Sequence, residues 1–510
     1  MMPKRYFTYN TLDDLRRDAA ALRIELPLVD DKEEIRRILA RPVEICGEGA
    51  RRWRLGNSLA IHPMEGCDGE PDGNPGELTF RRYQRFGVGG AKLIWFEACA
   101  VVEEGRANPR QLWIHAGSAA GLEKLLAECR EVHAREFGSS GDMIAVLQLT
   151  HSGRYSYAQP RVAYHHPVLD AFPFANLANL PPRATPFEVA GDDYLMALED
   201  RFVEAAALAQ KIGFDGIDLK MTHGYLLAEL LSARARPGPY GGPLENRARF
   251  ALNALRKIRE RCGEGFLLAA RLGVYDGVPY AVSPGDSSGA ARRFPVPYFG
   301  GFGVNPQNPL EPDLTEPLTF VGWLMQAGVR LLNVSMGNPY VNPHIGRPFE
   351  KPNEGLYEAP EHPLLGVVRH FAVTGEIQHA YPGLAVVGTG YSWLQHYLIH
   401  AAAANLKLGR VSVAGVGRGA LAYPEWARDA LTKGELDPLK TCKTLSFCTY
   451  LMRQKKHPLG QFPTGCPPFD KEGYGAIVKQ ARAAARSGEI ATSDLEAEGQ
   501  SKLKRARRFA

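Results

Sequence analysis

Lys220, His223 and Tyr225 lie close together in the stretch DGIDLKMTHGYLLAELLS, residues 215–232. An ammonium, an imidazole and a phenol can hold or pass protons to a polar substrate. A phenol with an ordinary pKa near ~10 stays protonated at neutral pH and can act as a general acid. Elsewhere the chain offers a different set of groups: Met64 and Glu65, Ala98, the amide of Gln148, the guanidinium of Arg271, Ser335, the turn Gly388–Gly390, and Gly417 with Arg418. Glycine-rich turns let backbone N–H groups approach phosphate oxygens closely, and Arg418 would add charge-assisted contacts. An amide and a guanidinium suit the edge of a flat heterocycle. Together these groups describe a phosphorylated, planar cofactor beside a proton-donating cluster.

Each of these groups follows a short apolar run. The runs cover 58–62, 92–97, 143–149, 216–220, 266–272, 329–335, 384–388 and 409–413. Helical patterns follow several of them, at 119–137, 193–212, 243–261, 316–327 and 392–405. Strand–helix alternation implies a parallel sheet covered on both faces, and eight units predict an α/β fold of the (β/α)8 TIM-barrel type. In such a barrel the functional groups sit at the C-terminal ends of the strands. The expected organisation is an N-terminal extension over 1–50, a barrel over 51–435 and a C-terminal helical extension over 436–510. The N-terminal extension carries two short helices, 12–22 and 31–39. Two stretches interrupt the rhythm, 153–190 (rich in Pro, Tyr and His) and 276–313 (rich in Gly and Pro), and are expected to cap the pocket.

Composition narrows the function classes. The chain has 510 residues, 45% hydrophobic and 23% charged, the profile of an ordinary globular protein. A net charge of +5 is small for this length and argues against dedicated nucleic-acid binding, although 502–508 (KLKRARR) is locally basic. No apolar stretch approaches the roughly 18 residues of a membrane span, and the N-terminus lacks a signal-peptide pattern. Eight scattered cysteines read as reduced thiols of a cytoplasmic protein. The expected partner is a small-molecule substrate, with no nucleic acid and no membrane, and a homo-oligomer is left open. His396 and His400 share an i, i+4 spacing, but neither lies at a strand end, so no metal site is expected.

The motifs AIHPME (60–65), GGAKLIWFEACAVVEEGR (89–106), LQLTHSGR (147–154), HGYL within 215–232, YGGPLENRARF (240–250), AARLGVYDG (269–277), VVGTGYS (386–392) and VAGVGRGALAYPEW (413–426) resemble the Old Yellow Enzyme family, in the family's order over about 55–430. The resemblance implies an FMN-dependent barrel that reduces activated C=C bonds with electrons from NAD(P)H. It implies that Pro63, Met64 and Ala98 contact the flavin and that Gln148 bonds its pyrimidine edge. Arg271 would sit near N1 and O2. Gly388, Gly390, Gly417 and Arg418 would hold the phosphate. Tyr225 would donate the proton, with Lys220 and His223 bonding the substrate's activating oxygen. The same barrel could run as a dehydrogenase or demethylase, or persist as a flavin-binding barrel without turnover.

Two departures from the family stand out. Relatives usually carry His at the position of Lys220 and a small residue at that of Glu65, so Lys220 is expected to pair with Glu65 or to favour a carboxylate, thioester or strongly polarised carbonyl. One branch of the family follows its barrel with cysteines for an iron–sulfur cluster. Here Cys442, Cys448 and Cys466 remain, while Leu445 stands where a further cysteine is expected. Three thiols fall short of four ligands, so no iron–sulfur cluster is expected.

Overall fold

The computed structural model describes residues 6–47, 49, 51–171, 187–350, 357–453 and 461–486. The apolar runs form strands that are buried on both faces, as a covered parallel sheet requires. In chain order the barrel strands are Leu59–Ile61, Leu93–Ala100, Ile144–Thr150, Gly216–Met221, Leu267–Gly273, Val329–Ser335, Ala385–Gly388 and Val413–Val416. They pair in parallel with their sequence neighbours, and the eighth closes on the first through Ala414–Leu59 and Val416–Ile61. The (β/α)8 barrel expected from the alternation is therefore the fold.

A two-stranded antiparallel hairpin, Val43–Cys46 with Arg52–Leu55, precedes the first strand. Its inward residues Ile45, Trp53 and Leu55 pack with Leu93, Trp95, Ile144, Leu267 and Val413 in a core separate from the main one. The hairpin thus plugs the barrel end away from the strand C-termini. It straddles the expected boundary at residue 50. The preceding helices Leu12–Ala21 and Lys32–Leu39 bury Leu15, Ile35, Ile38 and Leu39 in the main core.

Three expectations about elements change. The eighth strand lies at Val413–Val416, not 409–413. Gly409 adopts φ +66 and follows the helix Leu398–Lys407, and Arg410 N–H closes back on the Asn405 carbonyl, so 409–410 still belong to a helix end. The helix expected at 392–405 is a 3-10 segment, Tyr391–Tyr397, kinked within itself at Gln395 (φ 51), followed by an α-helix, Leu398–Lys407. His396 therefore lies outside the helix that carries His400, whose Nδ1 meets the Val29 carbonyl at 2.6 Å. Finally, Glu77–Gly87 and Pro363–Ala380 are helices that periodicity did not predict. The first buries Arg82, which obscures its apolar face; the second buries polar residues such as His370, Thr374 and Gln378 along with its apolar ones.

The C-terminal segment packs onto the barrel. Helices Phe447–Arg453 and Lys471–Arg486 belong to a small core of Tyr450, Leu451, Phe462, Tyr474, Val478 and Ala481. Asp470 ties this unit to the barrel by a two-bond pair with Arg81, at 2.5 and 2.9 Å, and a further contact with Arg85. The basic stretch 502–508 lies outside the described residues. Among the described residues, no helix is long and apolar enough to cross a membrane.

Candidate active site

Adjacent strands bring the polar groups together at the C-terminal mouth of the barrel. Asp218, on the fourth strand, is the organiser. Its carboxylate accepts from Gln148 Nε2 at 2.5 Å, Trp95 Nε1 at 2.7 Å and the Arg271 backbone N–H at 2.8 Å. Burial pushes its pKa up to about 6 despite these donors. With one amide proton committed to Asp218, Gln148 keeps its carbonyl oxygen and second N–H for a partner in the cavity. Arg271 Nη1 reaches the Pro63 carbonyl at 3.5 Å, and burial lowers its pKa to about 10.

The fourth strand ends at Met221, and the chain then turns sharply. His223 and Gly224 adopt φ +66 and +69, the left-handed region that glycine tolerates and histidine rarely visits. A Cβ at Gly224 would come within 2.2 Å of Asn338 Nδ2, so the turn has no room for a side chain there. This turn sets Tyr225 at the start of helix Leu226–Ser232. Lys220 Nζ meets Glu65 Oε1 at 2.8 Å and lies 3.7 Å from the centroid of the Tyr225 ring. Tyr225 OH reaches Glu65 Oε1 at 3.4 Å and the Tyr340 hydroxyl at 3.3 Å. His223 Nε2 lies 3.3 Å from Ser335 Oγ.

Burial dominates the proton affinities here. It drives the His223 pKa well below the ordinary value, helped by Arg271 and Lys220, so the imidazole is neutral. It also raises Tyr225, helped by the Glu65 carboxylate, so the phenol keeps its proton. For Lys220 burial lowers the pKa, opposed by Glu65.

These groups line one cavity with about 1270 Å³ of atom-free space including its open mouth. Of the residues expected from sequence, it gathers Pro63, Met64, Gln148, Lys220, His223, Tyr225, Arg271, Gly390, Gly417 and Arg418. Ala98 and Gly388 stand off the lining. The Ala98 carbonyl is occupied by Gln111 Nε2 at 3.1 Å, and Gly388 packs against Val411. Sequence reasoning passed over Tyr340 and Trp393, and also Thr449, Met452 and Thr464 from the C-terminal segment, whereas Thr389 lies in the expected turn Gly388–Gly390. Nothing in the local sequence of the others marks them.

The expected caps are also placed differently. No described residue of 153–190 or 276–313 lines this cavity; 172–186 lie outside the described residues. The roof comes instead from the loop after the sixth strand, including Tyr340 and Arg347, and from the C-terminal segment. Cys448 lines the same cavity, and Cys442 and Cys466 are close enough for the thiols to feel one another electrostatically. Burial pushes the Cys442 and Cys466 thiols up. Among the described residues, no group of three or more His, Cys, Asp or Glu is arranged to hold a metal ion.

The lining fits an anionic, planar cofactor such as FMN. Neither Arg271 nor Arg418 has a carboxylate within ion-pair distance among the described residues, although both sit in the cavity wall. Burial lowers the Arg418 pKa, the mark of a cation stripped of water without a local counter-charge. A phosphate would supply the charge missing at Arg418, and an electron-rich ring edge could accept from the Arg271 guanidinium, which feels Asp218 and Glu65 without a direct ion pair.

Residues 51–286 match the NADH:flavin oxidoreductase / NADH oxidase family. That match covers a little under half of the chain, and it supports the resemblance to the Old Yellow Enzyme family. It is similar to the NADPH dehydrogenase of Clostridium acetobutylicum, 31% identical over 210 residues, covering 40% of this chain and 56% of the relative. It is also similar to that of Bacillus subtilis, 26% identical over 289 residues, covering 56% and 70%. The chain thus spans little more than half of the Clostridium relative. Among solved structures it resembles a 2-naphthoyl-CoA reductase complex (TM-score 0.58, 16% identity, 82% of this chain and 55% of that one). It also resembles the old yellow enzyme homologue from Zymomonas mobilis (TM-score 0.54, 19% identity, 78% and 94%) and morphinone reductase (TM-score 0.51, 20% identity, 77% and 88%). At these identities the likeness to solved structures establishes the fold.

Proposed function

We propose that the protein is an FMN-dependent oxidoreductase that reduces an activated C=C bond, in an α,β-unsaturated carbonyl, acid or thioester, with electrons from NAD(P)H. The observation that carries this is one cavity joining two guanidiniums that make no direct ion pair among the described residues, Arg271 and Arg418, to a buried phenol, Tyr225. Bound FMN would supply hydride taken from NAD(P)H. Gln148 would orient its pyrimidine edge, and Arg271 would stabilise negative charge that develops there. Arg418, with the Gly390 and Gly417 turns, would hold its phosphate. His223, neutral and anchored by Ser335, would bond the substrate oxygen and stabilise enolate-like charge without adding a formal charge of its own. Tyr225 would deliver a proton to the α-carbon as the β-carbon receives hydride. Substrate and nicotinamide would use the same face in turn.

The test is an absorbance spectrum of the purified protein before and after anaerobic NADH or NADPH, followed by mixing with 2-cyclohexenone. Flavin bands that bleach with one nucleotide and return with the enone support the proposal. A colourless protein that takes up no added FMN overturns it. A flavin that bleaches but returns only with oxygen overturns the C=C assignment and leaves the flavin.

A further inference from the structure

The Lys220 ammonium is not free to meet a substrate. Lys220 Nζ is 2.8 Å from Glu65 Oε1, and its side chain is only 4% exposed. The same Glu65 oxygen is 3.4 Å from the Tyr225 hydroxyl. One carboxylate oxygen therefore faces a proton-rich cation on one side and the candidate proton donor on the other. The Lys220 ammonium also sits 3.7 Å from the Tyr225 ring centroid, where its charge favours an ionised phenol. Tyr340 fixes the far side of the phenol at 3.3 Å and is itself held by the Tyr155 ring at 4.0 Å. Glu65, with 19% of its side chain exposed, is the member of the ion pair that reaches solvent.

We propose that the Lys220–Glu65 pair is a proton store that refills Tyr225, with Tyr340 positioning the phenol. This rests on the oxidoreductase reading above. Bound reduced flavin would supply hydride to the substrate's β-carbon; the electrons of the C=C bond would then take the Tyr225 proton at the α-carbon, so that the phenol O–H breaks and a C–H forms. The phenolate then stands beside the Glu65 carboxylate, an arrangement that like charges disfavour. A proton passes from Lys220 through Glu65 to the phenolate, so an N–H breaks and the O–H reforms. Lys220, now a neutral amine, regains its proton from water at the exposed edge of Glu65. Burial already biases Lys220 toward giving up a proton. The other ionisable groups facing the cluster are Asp218 on the same strand as Lys220, Arg271 on the neighbouring fifth strand, His223 on the turn that follows, Arg418 from the turn after the eighth strand and Cys67 beside Glu65. In this scheme Lys220 is a positioning and proton-supplying residue, and His223 alone bonds the substrate oxygen.

Two measurements test this on the full-length protein. In 13C-tyrosine NMR, with Tyr225→Phe identifying the signal, Glu65→Gln is expected to let Tyr225 ionise at lower pH than in wild type. Lys220→Met is expected to push that ionisation higher. Separately, the rate at which 2-cyclohexenone reoxidises the NADPH-reduced holoenzyme is divided by the rate of its reduction by NADPH. In Lys220→Ala this ratio should fall about tenfold or more, decline as pH rises, and recover with added methylammonium. A Tyr225 signal unmoved by either substitution overturns the proposal. So does a ratio that holds in Lys220→Ala, or one that falls with no change in pH profile and no rescue. If wild type binds no FMN or is not bleached, the oxidoreductase reading fails, and the NMR titration still decides whether the three groups are coupled.

Discussion

Glu65 occupies a place beside the candidate flavin cavity where a lone carboxylate would oppose a negatively charged reduced flavin. Its 2.8 Å contact with Lys220 cancels that charge locally. The two halves of the pair should therefore act in opposite directions. Lys220→Met leaves Glu65 uncompensated and should lower the flavin potential; Glu65→Gln leaves the ammonium uncompensated and should raise it. A shift of roughly 30 mV in each case would match a tenfold change in a two-electron equilibrium. Redox titration against a dye checks the signs, and two shifts of the same sign would contradict the pairing. Glu65→Gln also frees Lys220 for an anionic substrate, so the ratio of kcat/KM for an unsaturated acid over its enone should rise. The residues of this site were legible because the turn after the fourth strand carries them in one short motif. Tyr340 was not, since it reaches Tyr225 from a loop 115 residues further along the chain.

At the scale of elements, the hairpin Val43–Cys46/Arg52–Leu55 closes the end of the barrel opposite the candidate site. Trp53 is 7% exposed and packs within this second core. Trp53→Ala should cost about 3–5 kcal/mol, measured by denaturant unfolding, while leaving the opposite mouth intact. A second prediction concerns Asp276, just after the fifth strand. Its carboxylate accepts from the Phe302 N–H at 2.8 Å, and burial pushes its pKa up to about 7 from an ordinary 3.8. A raised folded-state pKa means that the folded chain binds the proton more tightly than the unfolded one. Its stabilising effect is full below the unfolded pKa and is lost as pH rises toward 7. Asp276→Asn keeps the acceptor and removes the titration. Its Tm should exceed that of wild type at pH 8 and converge with it near pH 4; equal Tm values at pH 8 would refute this. The misplaced eighth strand has a related lesson. The run 409–413 is apolar enough for a strand, but helix capping claims its first residues, and capping is decided by the backbone of the preceding helix.

For the whole molecule, the C-terminal segment turns an open barrel mouth into a roofed cavity. Cys448, Thr449, Met452 and Thr464 line that cavity, and Asp470, 3% exposed, fastens the segment to Arg81 and Arg85. Asp470→Ala removes three charge-assisted bonds to arginines that are only partly buried, a loss of about 1–3 kcal/mol. The segment should then open more often, and alkylation of Cys448, followed by mass spectrometry, should quicken. An unchanged rate would mean that the small apolar core holds the segment without Asp470.

The sequence by itself determined the barrel, because parallel strands buried on both faces must be written as apolar runs and their covering helices as amphipathic ones. It also determined the residues at the strand ends, since strand order alone sets which side chains meet at the mouth. Tertiary structure decided the rest. Whether Lys220 faces a substrate or a carboxylate depends on Glu65, 155 residues away in the chain. The roof likewise depends on long-range docking, which leaves no periodic trace in the segments that dock.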